Sequence, residues 1–144
     1  MPDTDMTTEV VNGVIAAIKT AFPSIDVFDN PVEQGIVEPS FTVRCIRPTQ
    51  DQFLGRRYKK SHLIEIVYFP LRGETFTNLN AVAESLFDAL EVIQAGNDPV
   101  RGWNMDAHYS EDNDALIMTV NYNYFVIRAN NADLMDSLHI EWKG

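Results

Sequence analysis

Hydrophobic positions along the chain switch between two spacings, and the switches divide it into elements. Val10, Val11, Val14, Ile15, Ile18 and Phe22 recur at i, i+3 and i+4, which is one face of a helix. Thr7 or Asp5 suits its N-cap, Glu9 suits the positive end of its dipole, and Pro23 stops it. A short strand, Ile25 to Phe28, comes next. Asn30-Pro31, Gly35 and Pro39 then punctuate a connection without regular structure. Phe41, Val43 and Cys45 alternate with Thr42 and Arg44, the period of a half-buried strand. After Tyr58 a second alternation puts Ile64, Ile66 and Tyr68 on one face and Leu63, Val67 and Phe69 on the other, interrupted by Glu65. A strand apolar on both faces is expected to be central or covered on two sides. Between these strands, Pro48 to Lys60 is polar, basic and too long for a tight turn. It predicts a projecting hairpin arm or a mobile loop.

The second half of the chain repeats the logic. Leu79, Val82, Ala83, Leu86, Phe87, Leu90 and Ile93 form a broad apolar stripe, with Thr77 as N-cap and Gly96 as the C′ glycine. Trp103, Met105, Ala107 and Tyr109 alternate with Asn104, Asp106 and His108. The turn Glu111-Asp112-Asn113-Asp114 leads into Leu116, Met118, Val120, Tyr122, Tyr124 and Val126, so the pair reads as a hairpin. Beyond Arg128 lie a polar break, Ala129 to Asp133, and a tail with Leu134, Leu138, Ile140 and Trp142. The predicted order is helix, strand, strand, strand, helix, strand, strand. That order does not fit a doubly wound sheet. It fits an α+β domain, a mostly antiparallel sheet with two helices packed on one face.

The 144 residues suit a single domain spanning 1–144, with the basic arm at about 48–60 and a short C-terminal tail at 131–144. A chain of this size buries roughly 70% of the surface of its unfolded form, enough for a core without metals or disulfides. The formal net charge is -10, which disfavours nucleic acid and anionic membranes as partners. Charge is uneven, however: Arg44, Arg47, Arg56, Arg57, Lys59 and Lys60 fall in one stretch opposed only by Asp51. An acidic body with one basic segment can complement itself in an assembly. Cys45 is the single cysteine, so no disulfide within the chain and no thiolate metal cluster is expected. The first residues show no basic and apolar signal pattern, and no apolar run approaches the ~18 residues of a membrane span. A cytosol-like compartment is expected.

Few residues offer chemistry. Asp106 and His108 point to one side of a strand and could hold a metal, but two ligands fall short of the three or four a site needs. They read as the polar face of a hairpin strand. His62 and Glu65 face opposite sides and read as unrelated surface and edge residues. Cys45, in register with Phe41 and Val43, reads as a small core residue, not a nucleophile. Gly55 beside Arg56-Arg57 makes no phosphate loop, no G-x-S-x-G elbow occurs, and His139 stands alone in the tail. No catalytic residue, metal or cofactor is expected. The stretch Arg56-Arg57-Tyr58-Lys59-Lys60 has the look of a nucleic-acid patch with an interleaved aromatic. A protein-contacting arm and a merely solvated hairpin are the other readings. The candidate contact residues are Gln50, Arg56, Arg57, Lys59 and Lys60.

Several segments together carry a resemblance. Val32-Glu33-Gln34-Gly35-Ile36-Val37-Glu38-Pro39-Ser40-Phe41 resembles a segment of the small tail-terminator (tail completion) proteins of phages and prophages of Gram-positive bacteria. Phe53-Leu54-Gly55-Arg56-Arg57-Tyr58, Ile66-Val67-Tyr68-Phe69-Pro70, the helix from Val82 to Leu90 and Val120-Asn121-Tyr122-Asn123-Tyr124-Phe125-Val126 are similar to later segments in the same order. The likeness covers roughly residues 8 to 140. It implies a tail-terminator-like α+β subunit of the virion that assembles with copies of itself into a ring, six by family likeness. The ring caps the head-proximal end of the tail tube, contacts the tail tube protein, and gives the head-tail connector protein a docking face. DNA would pass through its lumen without specific binding, repelled by acidic walls. A head-tail connector or head-completion protein, a metal-dependent nuclease using Asp106 and His108, and a regulatory binding module are the alternatives.

Overall fold

A computed structural model describes residues 6–29 and 37–127, excepting the side chain of Phe53. Helix α1 spans Met6–Ala21 and turns Val10, Gly13, Val14 and Ile18 inward. Thr7 lies within its first turn and so is not the cap; Asp5 is outside the described residues. Strand β1 is Asp26–Phe28, β2 is Ser40–Leu54 and β3 is Arg57–Phe69. Helix α2 spans Phe76–Ala89, followed by β4 (Val92–Ala95), β5 (Asp98–Ser110) and β6 (Ala115–Ile127). The strands form one sheet in the order β1-β2-β3-β6-β5-β4, antiparallel except for the β1–β2 pair. This is the expected α+β class.

Three sequence expectations need correcting around α2. Its N-cap is Thr75, whose hydroxyl accepts from the Asn78 backbone N–H at 3.2 Å, and Thr77 is a helical residue. Ile93 belongs to a strand the apolar stripe had absorbed: the helix ends at Leu90 and β4 begins two residues later. Gly96, at φ 64°, turns the β4–β5 hairpin instead of capping the helix. A stripe of helical spacing that runs straight into a strand leaves no polar break to mark the change.

The segment from Pro48 to Lys60 is regular structure. β2 and β3 stay paired to Leu54↔Arg57, and Gly55-Arg56 closes the hairpin as a tight two-residue turn. Gly55 takes φ 58°, open to glycine at little cost, at the first central position as a II′ turn requires. Pro48 is tolerated because β1 pairs with β2 only from Ser40 to Thr42, so β2 is an edge strand at Pro48.

One core joins both helices to one face of the sheet. Val10, Val14 and Ile18 of α1 and Leu79, Val82 and Leu86 of α2 pack with Phe41, Val43, Ile64, Ile66, Met118, Val120 and Tyr122. Tyrosine hydroxyls close the seams: Tyr122 donates to the Leu90 carbonyl at 2.7 Å and Tyr124 to that of Ala95 at 2.9 Å. Both bonds tie β6 to the segment between α2 and β5. Burial pushes the phenols of Tyr68 and Tyr122 well above their ordinary value, with the Glu74 carboxylate adding to the effect at Tyr68. β3 is central, as expected, but its second face, with Leu63, Val67 and Phe69, has no helix over it among the described residues.

Two outcomes test this packing. A Cβ at Gly13 would lie 2.3 Å from the Gln94 carbonyl oxygen, a contact with backbone that cannot step aside. Gly13→Ala, which gains about 1 kcal/mol of helix propensity, is therefore expected to lower the unfolding midpoint in urea; a raised midpoint would contradict the α1–β4 contact. Tyrosines with raised folded-state values leave stability intact below the unfolded phenol's value of about 10 and erode it as pH climbs above that. Urea titrations should show stability falling above about pH 10, and Tyr122→Phe should flatten the fall; an unchanged slope in that variant would count against the cause given.

Candidate assembly surface

The register of β2, β3 and β6 fixes where the candidate contact residues stand. Gln50 pairs with Lys60, Asp51 with Lys59, and Leu54 with Arg57. Successive side chains alternate between faces. Gln50 and Lys60 therefore share the helix-side face. Arg57 and Lys59 lie on the open face with Arg44 and Arg47, and Arg56 occupies the turn. All five candidates gather at one end of the sheet, but they do not form a single patch. The arm is also not a lone hairpin, because β3 pairs with β6 out to Arg57↔Ile127.

That pairing sets apolar side chains among the cations. Phe125 lies opposite Lys59 and Ile127 opposite Arg57, on the open face. Phe125 is 62% exposed, Ile127 66% and Leu54 65%. A shallow groove of about 350 Å³ runs along Arg57, Phe125, Val126 and Ile127. Phe125 falls outside the even-numbered register that β6 buries, which is the signal by which the sequence could have flagged it.

The other end of the strands has the opposite character. The turn from β5 to β6 carries Glu111, Asp112 and Asp114. The Tyr109 hydroxyl donates to the Asp114 carboxylate, which is the first cause of its raised phenol value. Phe76 meets the Tyr109 ring edge-on at 5.2 Å and is still 64% exposed. Leu71 is exposed nearby, and Glu74 accepts from the Leu71 N–H at 3.0 Å and from the Tyr68 hydroxyl. Val37 stands exposed just before β2 at this end.

Between the ends, the open face is mixed. Arg44 Nε pairs with Glu65 Oε1 at 2.8 Å across β2 and β3, a surface pair of small energetic weight. A cleft of about 220 Å³ beside it includes Val67, Phe69 and Ile117. Trp103, expected in line with Met105, Ala107 and Tyr109, is on the opposite side. A bulge between Trp103 and Asp106, with Asn104 at φ 54°, flips the register and leaves Trp103 54% exposed.

The chemistry-bearing residues are distributed as follows. Asp106 and His108 do come together on the open face, with His108 Nδ1 3.8 Å from Asp106 Oδ2. Among the described residues no set of three His, Cys, Asp or Glu side chains could hold a metal. His62 is buried on the core face, not at the surface, while Glu65 faces outward to Arg44. Cys45 is half-buried against the core, and desolvation pushes its thiol upward, away from the thiolate. His139 and the rest of the tail from 131 to 144 lie outside the described residues. Among the described residues no helix is long and apolar enough to cross a membrane.

Comparison with known proteins fits a surface-bearing subunit. A solved chain from the virion of a native gene transfer agent (GTA) particle superimposes with a TM-score of 0.52 at 13% identity, covering 84% of this chain and 96% of that one. The likeness is one of fold. No curated protein matches the chain. The profile of the family described as "Phage tail terminator protein" matches residues 9–133, from the first turn of α1 past the end of β6. The chain belongs to the phage tail terminator family, structural proteins of the phage virion tail.

Proposed function

We propose that copies of this chain form a closed ring, six by family likeness, on the head-proximal end of the tail tube. The ring stops further polymerisation of the tube and offers the head connector a docking face. Membership of the tail terminator family over residues 9–133 carries this reading. The exposed apolar side chains at both strand ends support it, because monomers seldom leave such groups uncovered in clusters. A ring of identical subunits joins unlike patches, one from each neighbour, and the two ends of this sheet are unlike. The role requires no reaction of the protein's own; its partners are its copies, the tube protein and the connector protein. DNA would cross the lumen without specific binding, and the net charge of -10 works against sticking.

Tagged protein located by gold labelling on isolated tails tests the placement, and particles lacking the chain test the activity. Label is expected at the head-proximal end only, and tails without the protein are expected to lose their uniform length. Label on the head vertex alone would favour a head-completion protein. Uniform tails in its absence would refute the capping role.

A further inference from the structure

The two ends of the sheet are complementary in charge while sharing an apolar centre. At one end Leu54, Phe125 and Ile127 are exposed among the cations Arg56, Arg57 and Lys59, with Asp51 opposite Lys59 and with Arg101 and Asp98 lining one cleft with Lys59 and Phe125. At the other, Leu71, Phe76 and Val37 are exposed among the carboxylates Glu38, Glu74, Glu111, Asp112 and Asp114, with Arg72 a cation between Leu71 and Glu74. An apolar centre with a charged rim is the anatomy of a protein interface. β6, 13 residues long, runs from one end to the other, a span of roughly 40 Å at the rise of an extended strand. Screening in physiological salt acts within about 8 Å, so the ends of one molecule do not neutralise each other. Each remains available to a different molecule.

We infer that the ring interface is head to tail along the strands: the basic end of one copy docks on the acidic end of the next. This rests on the ring reading above and names the surfaces that make it. Apolar contact of Leu54, Phe125 and Ile127 with Leu71 and Phe76 supplies the desolvated centre. The opposed rims orient the encounter and reject the two like-charged pairings, basic to basic and acidic to acidic. Association is therefore sensitive to salt, and the interface is heterologous.

Charge reversal tests it in a form that separates loss of folding from loss of the interface. One variant carries Arg57→Glu and Lys59→Glu, making both ends acidic. A second carries Glu38→Lys, Glu111→Lys and Asp112→Lys, making both ends basic. Glu38, Arg57, Glu111 and Asp112 are exposed and Lys59 is half-buried, and circular dichroism checks that each variant folds. Sedimentation is run at low salt, alone and with purified tail tubes. Wild type is expected to assemble and to dissociate as salt rises. Each variant alone is expected to stay monomeric, while an equimolar mixture of the two recovers assembly by alternating around the ring. Variants that assemble alone as wild type does, or a mixture that stays monomeric, would overturn this interface and leave the ring intact. Wild type that joins neither itself nor the tubes would instead overturn the ring reading itself.

Discussion

Two helices cover one face of a six-stranded sheet, and the rest of the molecule follows from that limit. The β3–β6 pairing sets it up. These adjacent central strands pair antiparallel from Arg57↔Ile127 to Tyr68↔Leu116, and the even-numbered residues from Ile64 to Tyr68 and from Leu116 to Tyr124 join the core with α1 and α2. Odd-numbered residues are thereby sent to a face that no helix covers among the described residues. Among the described residues, an apolar side chain on that face or at a strand end has no layer of the same chain to cover it. Val67, Phe69, Phe125 and Ile127 are there because of register, and register is fixed wherever one face must be buried.

Charge then sorts the uncovered surface. The pair Arg44–Glu65 balances the middle of the open face, leaving excess cation at the β2–β3 turn and excess anion at the β5–β6 turn. A net charge of -10 would by itself make copies repel. Concentrating the cations at one end converts that repulsion into a preference for one relative orientation. Family membership and this polarity point the same way, toward a protein whose work is done by its surfaces.

Much of this was legible in the sequence. Strong periodicity gave α1, the core face of β3 and the whole of β6, because burial of one face writes itself directly into the spacing of apolar residues. The class, two helices on a mostly antiparallel sheet, followed from element order. Other features were hidden for definite reasons. β4 merged with the α2 stripe because Leu90 and Ile93 continue helical spacing across the helix end. The bulge at Asn104 shifted Trp103 to the open face, and nothing in an alternating pattern announces one extra residue. The arm was expected as a hairpin or loop; a tight turn at Gly55-Arg56 lets the strands run its full length, and β6 reinforces it. The basic residues were found as a run in sequence, whereas the fold divides them between two faces. The acidic end was invisible as a site, since Leu71 and Phe76 reach it from a different part of the chain.

On the proposed function, the exposed apolar groups at the strand ends become covered when the protein takes its place in the tail. Hydroxyl-radical footprinting of the free protein and of isolated tails measures this directly, side chain by side chain. Leu54, Leu71, Phe76 and Phe125 are expected to react readily in the free protein and to be protected in tails, with core residues such as Leu86 and Met118 unreactive in both. Equal reactivity of those four residues in the two states would contradict it.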